Sequence, residues 1–600
     1  MLKGYMSKIL FIDLSSQRIT EEIPDEELYR DFLGGYGVGA RILFSRQRVG
    51  IDPLGPDNTL GFVTGPLTGT PALTGNRYTV VAKSPLTGTW GDANAGGDFG
   101  PYLKFAGYDA IFITGASEKP VYLYVRDGKA ELRDAGHLWG KDTYQTEDML
   151  KSQLGVETRV ACIGQAGEAL SLISCIINNK GRAAGRSGLG AVMGSKRLKA
   201  VAVSGGMEVP LADRERVKAL RSQYLSKLRK DEFAQILQKF GTGGGTAALA
   251  YKGDSPVKNW GGVGKRDFPN AESISDDSVL QLQEKRESCW RCPVGCGGRM
   301  KAGREYPYAA GAAKPEYETA CAFGTMCLNS NLESIIMAND ICDRYGLDTI
   351  SAGSVVAFAI ECYENGLINK EDTNGIELKW GNHQAIVAIT KKIAKREGFG
   401  NVLADGVKLA AERLGRGTTE YAIHIGSQEL PMHDPKYAPS YATSYTIDAT
   451  PGRHTQGSSN SSEGEDQKME NTLCQAKNAA GICLFAEAID ADGLSLFLTA
   501  VTGHPYTVEA IDEVLQTTSN IRQAFNIREG INPLERHVPD RVLGRPPQQE
   551  GPLAGITVDL HTRLSNYLKA MDWDPETAKP SKQKLQQLGL DDVSAVLWPE

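Results

Sequence analysis

Up to about residue 205, short apolar and β-branched runs alternate with turns rich in Gly, Pro and Asn. That alternation is typical of β-strands bounded by tight turns. The predicted strands span residues 8–13, 78–83, 110–114, 159–163 and 199–204. Asp127-Gly128 separates two further runs, 121–126 and 129–133, and this dipeptide predicts a hairpin with a two-residue type I′ turn.

Beyond Gly206 the spacing of apolar positions changes to the i, i+3, i+4 pattern of helices. It predicts helices over 213–231, 351–364, 383–397 and 401–414, and a loop-rich stretch over 431–466. A chain of 600 residues is too long for one core. We therefore predict an α+β protein with a β-rich domain over 1–206 and two mainly helical domains over 207–420 and 421–600.

Composition and charge exclude several classes of protein. Hydrophobic residues make up 41% and charged residues 23%, which is ordinary for a globular chain. A net charge of -7 gives no reason to expect nucleic acid or an anionic membrane as partner. No apolar run approaches the roughly 20 residues that span a bilayer, and no signal-peptide pattern opens the sequence. We expect a cytoplasmic protein without a membrane span.

Three of the 11 cysteines form a C-x2-C-x3-C motif: Cys289, Cys292 and Cys296. Gaps of this length let a turn bring its thiolates around an iron–sulfur cluster. A zinc knot usually adds a second cysteine pair or a histidine pair, and neither follows here. Incidental buried cysteines are the other alternative. The motif predicts a cluster whose fourth ligand is a distant cysteine, an exchangeable group, or absent.

Two glycine-rich segments, 75–100 and 180–196, carry arginines. Glycine lets backbone N–H groups approach a phosphate, and arginine supplies forked donors. Asn94 and nearby carbonyls could hold a hard cation such as magnesium. Tight turns alone are the simpler interpretation of either segment. Two such segments beside a cluster motif favour a phosphate-bearing ligand.

These features together resemble the tungsten-containing aldehyde ferredoxin oxidoreductase family. The resemblance covers nearly the whole chain, in segments 32–37, 64–67, 83–88, 103–109, 188–196, 315–318, 343–351 and 522–530. It implies a β-rich first domain that cradles tungsten bis-molybdopterin, covered by two largely helical domains.

The resemblance also implies the residues that hold this cofactor. Those at the phosphates and a bridging Mg²⁺ would be Arg77, Asn94, Gly96, Arg186 and Ser187, with Asn94 and Ser187 as magnesium ligands. Those at one pterin would be Asp343, Gly346, Leu347 and Asp348.

The family holds its other pterin with a D-x-x-G-L-C motif, which here reads Asn478-Ala-Ala-Gly-Ile482-Cys483. The resemblance thus makes Cys483 the expected fourth ligand of a [4Fe–4S] cluster, with Cys474 as rival. Asn478 replaces the acid, and because an amide both donates and accepts, we expect pterin contact with altered charge.

The family's proposed acid/base glutamate falls on Glu318, with Glu316 as the alternative; a positioned carboxylate can take a proton from attacking water. His454 falls where the family has a histidine near the metal. His433 competes with it, and we interpret His433 as a loop residue. For Cys321 we favour a buried small hydrophobe over a metal ligand.

The implied activity is oxidation of aldehydes to carboxylic acids. The sequence has no strand–GxGxxG–helix fingerprint of a nicotinamide or flavin site, so electrons would leave to a ferredoxin or an iron–sulfur subunit, with or without a flavin subunit. An oligomer is expected. The alternatives are a tungsten subunit that reduces an aryl-coenzyme A thioester and a non-catalytic electron-relay subunit.

Overall fold

The computed structural model describes residues 2–457 and 462–599. A six-stranded mixed sheet opens the chain, in the order β2-β1-β6-β3-β4-β5. Only β1 and β6 run parallel; the other neighbours are antiparallel. Its strands are β1 Ile9–Asp13, β2 Arg18–Glu22, β3 Leu60–Thr64, β4 Tyr78–Lys83, β5 Trp90–Ala95 and β6 Ala110–Thr114.

A second six-stranded sheet has the order β11-β10-β9-β12-β7-β8. Its strands are β7 Val121–Arg126, β8 Lys129–Asp134, β9 Arg159–Cys162, β10 Ile176–Asn178, β11 Arg182–Ala184 and β12 Leu198–Ser204. The two sheets share one apolar core, in which Leu10 and Val80 of the first meet Leu123 and Val201 of the second.

The predicted hairpin is confirmed. Strands β7 and β8 pair antiparallel around Asp127 and Gly128, whose φ angles are 48° and 76°. A type I′ turn requires positive φ at both central residues, which this dipeptide tolerates.

Six helices also lie in this region, and the apolar pattern did not indicate them. They are α1 Glu26–Phe32, α2 Gly35–Arg46, α3 Phe99–Phe105, α4 Thr143–Leu154, α5 Gln165–Glu168 and α6 Leu189–Ser195. In α2, nine of the 12 residues are buried. A helix that is buried on nearly all sides lacks the polar face that makes helical periodicity visible.

The middle of the chain is mainly helical. It contains α7 Arg214–Lys230, α8 Glu232–Phe240, α9 Thr246–Lys252, α10 Gly264–Asp267, α11 Asp276–Leu282, the hairpin β13 Gln283–Glu287 and β14 Gly297–Met300, α12 Tyr317–Phe323, α13 Leu332–Tyr345, α14 Thr349–Glu364, α15 His383–Lys395, α16 Phe399–Leu403 and α17 Val407–Leu414. Short 3₁₀ helices span Ala271–Ile274, Thr325–Cys327 and Thr418–Tyr421.

The predicted helix over 401–414 is wrong as a single element, because α16 ends before a turn from which α17 begins. Gly406 in that turn has φ +92°, and Asp405 beside it pairs with Arg396 and Arg413. These ion pairs hold the chain out of the helical path.

The last part is also mainly helical, after the two-residue strands β15 His424–Ile425 and β16 Gln428–Glu429. Its helices are α18 Ser440–Ile447, α19 Glu465–Ala480, α20 Ala491–Thr502, α21 Val508–Arg528, α22 Asp540–Leu543, α23 Leu560–Met571, α24 Lys582–Gln587 and α25 Asp591–Leu597, with a 3₁₀ helix at Pro533–Glu535. Helix α18 lies inside the stretch predicted as loop-rich; all eight of its residues are buried, so it shows no amphipathic pattern.

Packing between distant parts of the chain positions the site. Ile9 and Val81 of the first sheet share a core with Ile521, Leu585 and Val593 of the last helices. The middle helices form most of another large core, which also contains Leu86 of the β-rich region and Tyr441 of the last region. A cleft lined by residues of all three regions lies between them. No helix in residues 2–457 and 462–599 is long and apolar enough to cross a bilayer.

Candidate active site

One cavity of about 440 Å³ receives side chains from all three regions. The β-rich region contributes Arg77, Gly96 and Arg182. The middle region contributes the three clustered cysteines, Glu316, Glu318 and Asp343, and the last region contributes His433, His454 and Cys483. The structure thus brings the predicted cluster ligands and the predicted catalytic residues to one space.

Cys289, Cys292 and Cys296 lie on the loop that joins β13 to β14. The backbone N–H of Cys292 donates to the carbonyl of Cys289 at 3.0 Å, which forms a tight turn. Arg286 donates from Nη2 to the carbonyl of Val294 at 2.7 Å. The antiparallel hairpin and these two contacts hold the three thiols on one short loop.

Cys483 reaches the same cavity from just beyond the end of α19. Its backbone N–H donates to Oγ1 of Thr74 at 3.3 Å, and the backbone N–H of Arg77 donates to the carbonyl of Gly481 at 3.1 Å. A Cβ on Gly481 would collide with Thr68 Oγ1. The glycine of the motif is therefore required for this segment to pack against residues 68–77.

The rival Cys474 does not join the other three. It lies within α19, outside the cavity lining, and burial raises the pKa of its thiol to about 12. The geometry therefore favours Cys483 over Cys474 as companion of the C-x2-C-x3-C loop.

Two arginines surround the thiols with positive charge. Arg77 donates from Nη2 to Sγ of Cys483 at 2.8 Å. Burial lowers the pKa of Arg77, but the charges of Cys483 and Cys289 outweigh burial and raise it overall. The charge of Cys289 likewise raises the pKa of Arg182. Both guanidinium groups are in place to stabilise thiolates or an anionic cluster.

Gly96 is where the first glycine-rich segment meets the cysteines. A Cβ built on it would lie 2.9 Å from Sγ of Cys289 and 3.3 Å from Nη1 of Arg77. Any side chain would intrude on both groups. Burial raises the pKa of Cys292 to about 11 and that of Cys296 to about 12, so without a metal both would be protonated at neutral pH.

Glu318 stands in the first turn of α12, with its carboxylate at the cavity. Its Oε2 accepts from the backbone N–H of Met432 at 2.8 Å. Its Oε1 lies 3.3 Å from Nε2 of His433 and 3.6 Å from Nε2 of His454. Burial raises its pKa, but His454 and His433 together outweigh burial and lower it to about 2. Glu318 is therefore an anion at neutral pH.

The two histidines beside Glu318 differ in charge. Burial lowers the pKa of His433, but its hydrogen bond to Asp254 and its ion-pair contact with Glu318 raise it to about 10. Burial lowers the pKa of His454 to about 4 despite the opposing charge of Glu318. At neutral pH, His433 is an imidazolium and His454 a neutral imidazole.

Sequence reasoning weighed His433 against His454, interpreted His433 as a loop residue and did not consider Asp254. His433 is in a loop, as interpreted, but the loop folds into the cavity and its ring lies 5.4 Å from that of His454. The one available signal was position, because His433 lies between Pro431 and Pro435 in a polar loop, where functional side chains often occur.

Glu316, the alternative base, occupies another part of the same cavity. Its carboxylate accepts from Thr242 and lies 3.4 Å from Nη1 of Arg182. These partners place Glu316 beside the cysteines rather than beside the histidines.

Three of the five residues expected at the phosphates do not reach the cavity lining. Arg186 donates to Oδ2 of Asp348 at 3.1 Å and to the carbonyls of Gly452 and Glu429 at 2.7 and 2.6 Å. Ser187 donates to the carbonyl of Asp92 at 3.0 Å, and Asn94 donates to Oγ1 of Thr79 at 3.3 Å. Only Arg77 and Gly96 of this set face the cavity.

Some of the residues expected at the pterins line the cavity, and others do not. Asp343, Leu347 and Asp348 line the cavity, and burial raises the pKa of Asp343 to about 7. Gly346 ends α13. Asn478 and Ile482 are buried outside the lining.

Only one of the two polar atoms in the Asn478 side chain has a hydrogen-bond partner among the described residues. Its Nδ2 donates to the carbonyl of Cys474 at 3.0 Å, whereas its buried Oδ1 has no partner in the described part of the chain. A buried acceptor without a hydrogen bond costs free energy, and this one lies behind the cavity lining. Cys321, by contrast, is fully buried in the middle core and outside the cavity lining.

Two family models match this chain. Aldehyde ferredoxin oxidoreductase, N-terminal domain, matches residues 9–205, and aldehyde ferredoxin oxidoreductase, domains 2 & 3, matches residues 219–590. The chain belongs to the aldehyde ferredoxin oxidoreductase family.

Curated relatives align with this chain along nearly their whole length. The tungsten-containing aldehyde ferredoxin oxidoreductases of Pyrococcus furiosus and Pyrococcus horikoshii are each 38% identical, over 98% of this chain and 99% of theirs. The aliphatic sulfonate oxidoreductase, WOR-like subunit, of Pyrococcus furiosus is 29% identical over 98% of each chain. As an aldehyde ferredoxin oxidoreductase family member, the chain is an oxidoreductase.

A solved structure shows the same fold. A chain of the active-site complex BamBC of benzoyl coenzyme A reductase, in complex with 1,5-dienoyl-CoA, superposes with a TM-score of 0.85. It is 24% identical and covers 99% of this chain and 98% of its own. The predicted α+β class, a β-rich region followed by mainly helical ones, is confirmed for this family member.

Proposed function

We propose that this chain oxidises aldehydes to carboxylic acids at a tungsten bis-molybdopterin centre. One [4Fe–4S] cluster, held by the four cysteines, would pass the electrons to a ferredoxin or an iron–sulfur subunit, with or without a flavin subunit. One observation carries the proposal: a single cavity holds four cysteines and also a buried glutamate flanked by two histidines.

The cysteines fit a cluster. Cys289, Cys292, Cys296 and Cys483 all line the cavity, so they could supply the four thiolates of a [4Fe–4S] cube. Arg77 donates to Cys483, and Gly96 leaves space beside Cys289. A hydrogen-bond donor at a ligand sulfur and a backbone that can approach the cluster closely both stabilise such clusters and adjust their reduction potential.

The fit to the pterins and magnesium rests on other observations. Asp343 lines the cavity and the Oδ1 of Asn478 is an unpaired buried acceptor, so these two would accept from N–H groups at pterin edges. Leu347 lines the cavity, and Gly346 and Ile482 would hold the adjoining segments behind the lining. Arg186 and Asp348 enter the proposal as an ion pair that holds the surrounding loops in place, because Arg186 already donates to Asp348. Asn94 and Ser187 remain the proposed magnesium ligands.

The protein's part in the reaction follows from the charges at Glu318. The overall change is RCHO + H2O → RCOOH + 2 H⁺ + 2 e⁻, and the metal centre, when bound, supplies the chemistry that accepts the electron pair. Glu318, an anion fixed by Met432, accepts a proton from the water that adds to the carbonyl carbon.

His454 is suited to bind the aldehyde oxygen. It is neutral, and its Nδ1 has no partner within the described residues. When the single N–H of the neutral ring is on Nδ1, it can donate to the carbonyl oxygen as negative charge develops there, and Nε2, 3.6 Å from Glu318, then carries no proton. Apolar side chains, among them Leu237, Leu249 and Phe485, line other parts of the cavity and limit its water.

The position of Cys321 does not support the competing function, which is reduction of an aryl-coenzyme A thioester. That cysteine would favour it as a metal ligand, but its thiol is buried in the middle core. Likeness to benzoyl coenzyme A reductase at 24% identity concerns the fold.

The deciding experiment is anaerobic purification followed by measurement of tungsten, molybdenum and iron and assay of viologen reduction with a panel of aldehydes. Tungsten, iron and aldehyde-dependent viologen reduction together are expected. Tungsten without turnover of any aldehyde would overturn the proposal. Iron without pterin or tungsten would instead favour an electron-relay subunit.

A further inference from the structure

We propose that Asp254 is a positioning residue that holds His433 as the imidazolium partner of Glu318. The proposal rests on the proposed role of Glu318 as proton acceptor. It adds His433 and Asp254 to the Glu318–His454 pair. Both residues lie in segments outside the motifs that carry the family resemblance. Asp254 follows α9, and His433 lies in the loop before α18.

The two nitrogens of the His433 ring each face a carboxylate. Nδ1 lies 2.8 Å from Oδ2 of Asp254, and Nε2 lies 3.3 Å from Oε1 of Glu318. A neutral imidazole has one N–H, so it would direct a lone pair at one of these anions. An imidazolium satisfies both contacts at once. The geometry therefore favours an imidazolium, whose two N–H groups face the two carboxylates.

The ring has little freedom to turn away. Tyr317 stacks on it with ring centres 5.1 Å apart at 27°, and Tyr441 lies at 5.3 Å on a tilted plane. Tyr445 donates its hydroxyl to the backbone carbonyl of His433 at 2.9 Å. Within this aromatic enclosure, Asp254 fixes which ring nitrogen faces Glu318, as a carboxylate behind a catalytic histidine commonly does.

Asp254 is itself held in place. It is buried, with 4% of its surface exposed, and its carbonyl accepts from the backbone N–H of Asp434 at 2.7 Å. Asp434 pairs with Lys436 at 2.8 Å and not with His433. Asp254, not the neighbouring acid, thus supplies the charge at Nδ1.

Several titratable groups face His433, and their combined electrostatic effect decides whether its ring is charged. They are Asp254 after α9, Tyr317 and Glu318 of α12, His454 in the loop beyond α18, and Tyr441 and Tyr445 of α18. The two carboxylates dominate, which agrees with the raised pKa of His433 of about 10. His454 has a pKa of about 4 and adds no charge at neutral pH.

The positive charge on His433 acts on the carboxylate of Glu318. A cation at 3.3 Å keeps the carboxylate ionised before water attacks and offsets its charge beside a carbonyl oxygen that becomes negative. Loss of the His433 proton would point a lone pair at Glu318 and disturb both effects. The enzyme is therefore expected to lose activity at the pH where His433 deprotonates.

The first test is the pH dependence of kcat and of kcat/KM in the aldehyde–viologen assay. Removing the charge with Asp254→Asn makes the imidazolium less stable, so the alkaline limb should move to lower pH by at least about one unit. Asp254→Glu should return the limb toward the wild-type position, and Asp434→Asn, the matched control, should leave it unmoved. An Asp254→Asn enzyme with an unshifted limb would overturn the proposal.

The second test does not depend on aldehyde turnover. The chain has 8 histidines, so ring-labelled ¹³C-histidine spectra of the oxidised holoenzyme can follow each one, with His433→Gln to assign the signal. The wild-type His433 signal should stay in its imidazolium position through pH 8. Titration near the ordinary value of about 6.5 would refute the proposal even without a variant. An inactive wild type would refute the proposed function while this measurement still decided the state of His433.

Discussion

Arg77 donates from Nη2 to the Sγ of Cys483 at 2.8 Å, although 406 positions separate the two residues in the chain. The contact joins the β-rich region to the segment after α19. It also links the first glycine-rich segment to the cysteine that completes the set of four. The proposed cluster would therefore lie at the junction of two regions, and its stability depends on how they pack.

Replacing Cys483 should remove the cluster, whereas replacing Cys474 should not. Cys483→Ala takes away a thiol at the cavity; Cys474→Ala changes a thiol inside α19 that lies outside the lining. We expect low iron content and loss of the cluster's visible absorption in the first variant only. Equal iron loss in both variants would contradict the assignment.

Replacing Arg77 should make the cluster harder to reduce. Arg77→Met removes a buried positive charge beside Cys483, so the oxidised, less negative state is favoured. We expect the midpoint potential to fall by on the order of 60 mV, equivalent to about tenfold in the reduction equilibrium. A redox titration followed by EPR measures this. Arg77→Lys keeps the charge and should show the smaller shift; an unchanged potential in a fully loaded Arg77→Met protein would contradict the role.

Adding a methyl group at Gly96 should weaken cluster binding. The Cβ of Gly96→Ala would lie 2.9 Å from Sγ of Cys289, so Cys289 or the strand end must shift. Overpacking of this kind costs about 1–3 kcal/mol. Iron content and thermal midpoint should both fall. Gly206→Ala is the matched control, because nothing lies within 4 Å of its Cβ; similar losses there would show that the effect is not local.

Neutralising Glu318 should reduce kcat by about 10²–10⁴-fold while metal content is retained. Glu318→Gln keeps the shape and the acceptor for Met432 but removes the charge beside His433 and His454. Steady-state kinetics on metal-analysed protein provide the measurement. Glu316→Gln distinguishes the alternative base: if it loses kcat to that extent and Glu318→Gln does not, the assignment is reversed.

Local signals in the sequence predicted local structure well. Strands β4 and β6 coincide with the predicted runs 78–83 and 110–114, because β-branched residues between turn formers specify a strand without distant help. Helices α2 and α18 escaped prediction because both are buried on nearly all sides. Their burial depends on neighbours contributed by other parts of the chain.

The candidate site divides in the same way. The spacing of Cys289, Cys292 and Cys296 is a local property, and it predicts three ligands on one loop. Family resemblance then pointed to Cys483, Glu318 and His454, and the structure places all three at one cavity. It also shows Arg186 and Asp348 paired with each other, a contact that no motif displays.

The sequence by itself determined the α+β class, the type I′ hairpin, the helices α7, α14 and α15 and the three-cysteine loop, because each depends on residues close together in the chain. Only the tertiary structure decided that Arg77 meets Cys483 and that Asp254 meets His433 at Glu318. Those pairs lie 406 and 179 positions apart. The charges of these residues interact strongly because packing of the three regions buries them together away from water. The spacing of residues in the sequence does not predict that packing.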